Sequence, residues 1–242
     1  MSVAAASQYL YRDIAIEVRP GVFLPNKTTE LLLDAVLARD LGAKAALDLG
    51  CGCGVVGSVI RKLSRVGSMQ GSDISSVAVA NARANASRLG LDIEFREGNL
   101  FEPWAGRRFD VIIDDVAAVA DPIARLSPWY PPEIVCDAGH DGTINTIRML
   151  DRAGDHLAPG GILFFPTVSL SDEVKILQAA RSRFPRVECL LKKSWPFRED
   201  FWQRIRENET ARGLIDDGII KVVQRGSRWL WDTSIYLASV AP

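Results

Sequence analysis

The sequence predicts a doubly wound α/β fold: seven strands in a mainly parallel sheet, with a β-hairpin in front of it. Three observations lead there. An apolar run, Ala43 to Leu47 (broken by Lys44), meets the glycine turn Gly50-Cys51-Gly52-Cys53-Gly54 and then a helical segment, Val55 to Leu63. Strand-like and helix-like segments then alternate through short connections as far as Val240. One of them, Phe109-Asp110-Val111-Ile112-Ile113, is almost wholly apolar, as a strand covered on both faces must be.

Taken in order, Ile14 to Val18 and Val22-Phe23-Leu24 read as a hairpin joined through Pro20-Gly21. Thr28 or Thr29 can cap a helix carrying Leu31, Leu32, Ala35, Val36 and Leu37, which Gly42 ends. After the glycine turn and its helix, Met69 to Ile74 forms the second strand. Ser75 caps an alanine-rich helix through Leu89, stopped by Gly90. Ile93-Glu94-Phe95 opens the third strand and Phe109 to Ile113 is the fourth. Asp141 to Leu157 places Ile144, Ile147, Leu150 and Leu157 near one helical face. Pro159-Gly160-Gly161 turns into the fifth strand, Ile162 to Pro166, and Ser171-Asp172-Glu173 opens a helix through Phe184. Val187 to Leu191 and Trp229 to Val240 are the last strands, separated by a polar, helix-prone insertion. Residues 1–242 are expected to form one domain: hairpin and helix in 1–40, core in 41–195, insertion in 196–228.

Strand, glycine turn and helix together bring bare backbone against a small charged ligand. Gly52-Cys53-Gly54-Val55-Val56-Gly57 has the G-x-G-x-x-G spacing of dinucleotide sites, with Asp73 ending the next strand. Asp48, two residues before the first glycine, separates two cofactor classes. A carboxylate there repels a pyrophosphate but can hold an ammonium group, which S-adenosyl-L-methionine carries and NAD lacks. The string Asp48-Leu49-Gly50-Cys51-Gly52-Cys53-Gly54 resembles motif I of the class I S-adenosylmethionine-dependent methyltransferases.

Composition narrows the function classes. With 48% hydrophobic residues in 242, the chain can bury one sizeable core. A net charge of −1, acids and bases interspersed, gives no electrostatic footprint for nucleic acid. No apolar run reaches the roughly 20 residues of a membrane span, and Met1 to Leu10 lacks a secretory signal, so a cytoplasmic protein is expected. Cys51, Cys53, Cys136 and Cys189 read as reduced; Cys51-x-Cys53 with Cys136 and His140 lacks the usual zinc spacing, and no metal is expected. His140 and His156 are isolated, with no triad setting.

The resemblance narrows further at Val22-Phe23-Leu24-Pro25-Asn26-Lys27-Thr28-Thr29-Glu30, which is similar to the V-x-I-P-R-P-x-T-E segment of the HemK family, methyltransferases of a glutamine side chain in peptide release factors. Gly139-His140-Asp141-Gly142 and Leu157-Ala158-Pro159-Gly160-Gly161 are similar to that family too. The resemblance implies S-adenosylmethionine as cofactor. Asp48, Gly50, Cys51, Gly52 and Gly54 would form its loop, with Thr29 nearby. Asp73 would sit on the ribose, Ile74 on the adenine, Asn99 at the adenine amino group, and the Leu100 N–H beside it. Two departures stand out. The family's separate N-terminal helical domain is not expected in this sequence, and Asp115-Val116-Ala117-Ala118, preceded by Asp114, stands where the family carries N-P-P-Y or D-P-P-Y.

Asp114 and Asp115 are either turn formers or the groups that hold an amine nucleophile, Asp115 serving both cofactor and acceptor. Trp129 and Tyr130, in the long connection Val116 to Gly139, either wall the substrate pocket or pack that loop. Trp195, Phe201 and Trp202 flank the insertion and read as packing. The reading that results is methyl transfer to nitrogen in a small amine, guanidine or amino-acid-like molecule, with a homodimer left open. A HemK-type protein methyltransferase is the alternative; a non-catalytic S-adenosylmethionine-binding module or an NAD-dependent oxidoreductase stands in a different class.

Overall fold

The structure, a computed structural model, describes residues 6–42, 44–131, 133, 134 and 136–240. Ala43 of the first apolar run and Pro132 of the aromatic stretch lie outside the described residues. In chain order the elements are β1 (Ser7–Tyr11), β2 (Ile14–Val18), α1 (Lys27–Leu37), β3 (Ala45–Leu49), α2 (Val55–Leu63), β4 (Ser68–Asp73), α3 (Ser76–Arg88) and β5 (Glu94–Glu97). There follow β6 (Phe109–Asp114), α4 (Asp121–Ala124), α5 (Ile144–His156), β7 (Leu157–Val168), α6 (Glu173–Arg183) and β8 (Arg186–Pro196). The insertion is α7 (Glu199–Glu207), α8 (Glu209–Asp216) and the short β9 (Val223–Arg225), before β10 (Arg228–Ser239).

Seven strands run in the order β5-β4-β3-β6-β7-β10-β8, and β9 adds to β10 beside that path. From β5 through β7 the pairings are parallel; β10 is antiparallel to both β7 and β8. Alternate residues of the central strands feed two separate cores. Val111 and Ile113 point with Ala46, Phe164 and Ile235 toward the hairpin, α1 and α2. Ile112 points with Leu47, Leu49, Leu163 and Phe165 toward α5 and α6. Apolar residues at every position of such a strand are therefore required by its two covered faces.

The N-terminal hairpin differs from the sequence expectation. It pairs Ser7–Tyr11 with Ile14–Val18 around Arg12, whose φ is 51°, and Val22 to Leu24 is not a strand. The reason lies on α3. Asn81 and Asn85, four residues apart and fully buried, act as a substitute strand for β2. Asn85 Oδ1 accepts from the Glu17 N–H at 3.0 Å and Asn81 Oδ1 from the Arg19 N–H at 3.0 Å, while both amide groups donate back to the Glu17 carbonyl. Asn85 Nδ2 also donates to the Cys53 carbonyl at 2.9 Å, so one side chain ties hairpin, helix and glycine turn.

Other local signals shift by a residue or two. Asn26, rather than a threonine, caps α1, its side chain accepting from the Thr28 N–H at 2.8 Å; that frees Thr29 for the interior. Ser75 and Asp172 cap α3 and α6 as the sequence predicts. The buried stripe of α5 is Thr146, Met149, Leu150, Ala153 and His156, with Ile144 exposed, because the helix starts three residues later than its apolar pattern suggests. The insertion packs as a third core: Phe201, Trp202, Ile205 and Leu214 with Trp231 and Val168. Trp202 stacks on Trp229 at 4.6 Å, and Trp195 Nε1 donates to Thr233 Oγ1 at 3.1 Å, so the packing role expected of these aromatics holds.

Asn85→Ala should therefore lower stability by about 1–3 kcal/mol, the cost of leaving buried polar groups unpaired. A denaturant midpoint equal to wild type would show that the hairpin does not depend on that side chain.

Candidate active site

Every strand end that matters here is a carboxyl end. The sheet order reverses between β3 and β6, and the crevice above such a switch point is where open α/β sheets bind ligands. A cavity of about 350 Å³ opens there, lined by the glycine turn, the ends of β4 and β6, the start of α1 and the Val116–Gly139 connection.

The glycine turn is tied down before any ligand arrives. The Gly50 and Cys51 N–H groups both donate to the Ser72 carbonyl, at 2.9 and 3.0 Å. A Cβ on Gly50 would lie 2.9 Å from Val116 Cγ1 and 3.2 Å from Val116 Cα, so its bare backbone lets the two loops touch. Gly52 (φ +52°) would aim a Cβ into open space, whereas one on Gly54 (φ +78°) would strike Ala82 Cα at 3.0 Å and Phe95 at 3.2 Å. Gly54, expected from the sequence to sit in the cofactor loop, packs against Ala82 and Phe95 and is not among the residues that line the cavity.

Asp73, at the end of β4, lines the cavity. Its Oδ2 accepts from Gly52 N–H and its Oδ1 from Ser75 N–H, both at 2.9 Å, which holds the carboxylate still with further lone pairs for hydroxyls. Burial raises its pKa and those two N–H groups oppose the rise. Beside it Ile74 is 57% exposed, an apolar side chain waiting at the cavity wall. Asn99 and Leu100 line the same end, and Leu100 sits at φ 49°, a conformation that costs a non-glycine residue about 1–2 kcal/mol. Strain of that kind gathers where a ligand must be met.

Asp48 and Asp114 do not line the cavity. Asp48 is fully buried under the turn, where its Oδ2 accepts from the Gly57 N–H at 2.9 Å, and its Oδ1 has no partner. Asp114, the last residue of β6, is likewise buried with Oδ1 unpartnered. Burial drives both carboxyls well above the ordinary range, and the neighbouring acids add to it. Neither carboxylate, expected from the sequence to meet a ligand, is among the residues that line the cavity. Their burial favours the neutral forms, so the acids that face the cavity are Asp73 and Asp115.

Asp115 is the residue the site is built to present. Its N–H donates to the Leu49 carbonyl at 3.1 Å, and its Oδ2 accepts from Thr29 Oγ1 at 2.8 Å, leaving Oδ1 for the cavity. Burial pushes its carboxyl up to about 7, with the Thr29 hydroxyl opposing. Trp129 and Tyr130 line the cavity, and so do residues the sequence did not single out: Phe23, Asp137, Asn145, Arg148 and Trp231. Asn145 Nδ2 donates to the Ala117 and Asp137 carbonyls, at 3.1 and 2.9 Å, clamping both ends of the connection. Phe23 falls in the run Val22-Phe23-Leu24, which the sequence reads as a strand, and in the family-like segment Val22 to Glu30; neither marks it as a cavity residue. All four cysteines are free, Cys51 and Cys53 buried within the turn, and no helix among the described residues is long and apolar enough to cross a membrane.

Residues 13–115 match the family model of the methyltransferase small domain. The release factor glutamine methyltransferase of Geobacter sulfurreducens is 34% identical over 60% of this chain and 53% of its own length. That of Koribacter versatilis is 33% identical over 66% of this chain and 59% of its own. The chain thus spans a little over half the length of these curated relatives. Among solved structures, a ribosomal protein L11 methylase from Lactobacillus delbrueckii subsp. bulgaricus superposes with a TM-score of 0.57 at 18% identity, covering 92% of this chain and 84% of that one. The T. thermophilus 16S rRNA N2 G1207 methyltransferase, solved with AdoMet and guanosine, gives 0.61 at 16% identity, covering 99% and 51%. At such identities the two share the fold. The chain carries a class I S-adenosyl-L-methionine-dependent methyltransferase core that resembles the core of the HemK, or release factor glutamine methyltransferase, family.

Proposed function

We propose that the whole chain works as one N-methyltransferase domain, its acceptor nitrogen held against Asp115 Oδ1. The observation that carries this is the placement of Asp115: fixed from two sides, half-buried, and open to the cavity beside the glycine turn. S-adenosylmethionine bound there supplies an electrophilic methyl group on a sulfonium. Asp73 holds the ribose, Ile74 and Leu100 bracket the adenine with Asn99 at its amino group, and the turn from Gly50 to Gly52 takes the methionine end. In-line displacement asks for alignment more than covalent help. Asp115 aligns the nitrogen by accepting one of its N–H bonds, stabilises the charge that develops on it and can hold the proton it releases. Tyr130 and Trp129 exclude water from the acceptor side.

The names of the relatives favour a glutamine side-chain amide in a protein as the acceptor, over the small amine the sequence first suggests. A second reading, a cationic nitrogen, rests on one specific difference: Asp115-Val116-Ala117-Ala118 offers a carboxylate and no prolines to fix a carbonyl for a planar amide. A panel of glutamine peptides, amines and guanidines, followed by S-adenosylhomocysteine release, separates the two.

Gly52→Val and Gly54→Val should part company. The first should abolish S-adenosylmethionine binding in calorimetry while the protein stays folded; the second should lower the unfolding free energy by on the order of 1–3 kcal/mol through overpacking. Binding by the Gly52 variant as tight as wild type would remove the turn from the site. For Asp115→Asn, turnover on the true acceptor should fall on the order of 10²-fold, as when a group aimed at developing charge is lost. Asp115 is neutral below about 7 and charged above it, so wild-type turnover should rise with pH through that point and the Asn variant should lack that limb. Its raised carboxyl also makes the native state hold its proton longer than the unfolded chain does. Stability from this group is thus present at acid pH and lost as pH rises through about 7, so Asp115→Asn should withstand more denaturant than wild type at pH 8. Wild-type turnover with an unchanged pH profile would return Asp115 to a turn former.

A further inference from the structure

Four aromatic rings from three separate segments converge on one wall of the cavity. Phe23, ahead of α1, stacks with Tyr130 at 5.2 Å and 27°. Trp129 meets Trp231 of β10 at 5.2 Å, and its other contact is the edge of Phe201 at 5.3 Å, a buried residue of α7. Phe23, Tyr130, Trp129 and Trp231 all line the cavity that Asp115 faces.

The charges of that wall are one-sided. Asp115 and Asp137 both line it on the acceptor side. Among the described residues that line the cavity the one cation is Arg148, and it is shared with a neighbouring hollow formed by Asn99, Leu100, Glu102 and His156, at the adenine end. Rings with negative faces and acids without a facing base are poor partners for a neutral amide, which needs matched donors and acceptors. They are good partners for an ammonium or guanidinium, whose diffuse charge is attracted to ring faces. The small side chains of Ala117 and Ala118 leave room for it.

The geometry points to an aromatic box for a cationic group: Phe23, Tyr130, Trp129 and Trp231 receive an alkylammonium or guanidinium acceptor beside Asp115, with the insertion helix α7 holding Trp129 in place through Phe201. The inference rests on the second of the two readings above and names its substrate class. Burial raises the Tyr130 phenol pKa most, with Cys136 and then Asp115 adding to it, so ring and acid lie close to one space.

The test uses choline and 3,3-dimethylbutan-1-ol, a cation and its uncharged carbon isostere, titrated by calorimetry into the full chain with and without saturating S-adenosylhomocysteine. Choline should bind roughly tenfold tighter than the alcohol. Tyr130→Leu should erase most of that preference and Tyr130→Phe should keep it, since the ring and not the hydroxyl is at work. Equal binding of the two probes, no binding of choline at 10-fold excess over the alcohol's range, or an unchanged preference in Tyr130→Leu overturns the box. The two claims fail separately. S-adenosylhomocysteine binding without choline preference sinks the box and leaves the cofactor reading standing, while absence of S-adenosylhomocysteine binding sinks the cofactor reading itself.

Discussion

The contact on which the site depends is the apposition of two loops at the carboxyl ends of adjacent strands. β3 and β6 pair in parallel with Leu49 opposite Asp114, so the glycine turn and the Asp115 loop leave the sheet side by side. With no side chain on Gly50, Val116 closes to within 3.2 Å of where a Cβ would be, and the Asp115 N–H reaches the Leu49 carbonyl. The glycine turn and the Asp115 loop share one cavity because of that contact. Any residue at position 50 larger than glycine would push the two loops apart and displace the Asp115 carboxylate.

The same apposition concentrates negative charge. Asp48, Asp73, Asp114 and Asp115 end or follow three neighbouring strands, and each of the other three raises the Asp48 carboxyl beyond what its burial does. Their partners are the Thr29 hydroxyl and the N–H groups of Gly52, Gly57 and Ser75, with no base among them, so burial and mutual repulsion favour the neutral carboxyls. On the proposed reading, a cofactor bearing an ammonium and a sulfonium would favour their ionisation, and one bearing a pyrophosphate would oppose it.

What the sequence made legible was local. Ser75 and Asp172 as caps, the glycine turn, the acid ending β4 and the all-apolar β6 each follow from a few neighbouring residues, and the structure has them. What it hid was tertiary. Pro20-Gly21 looks more like a hairpin turn than Arg12-Asp13 does, but the strand that forms is the one that Asn81 and Asn85 can complete, and nothing local in an alanine-rich helix announces that. For Asp48 the position is legible in the sequence, but not the direction in which its side chain points. Strand alternation turned it down toward α2, so its carboxylate supports the turn from beneath instead of facing the ligand.

The acceptor wall shows the same limit from the other side. Relatives place an aromatic three residues after the strand-end polar residue; here Ala118 holds that position and is nearly buried. The rings come instead from Phe23, Trp129, Tyr130 and Trp231, segments up to about two hundred residues apart, assembled by a connection whose two ends Asn145 clamps and by an insertion that backs Trp129 with Phe201. A motif read along the chain records this as loss of an aromatic. In space, rings from those distant segments line the same cavity as Asp115. On the proposed reading, a box built from distant elements moves acceptor choice away from four consecutive residues. Control then passes to the insertion and the connection, and loops are the parts of a fold most free to change.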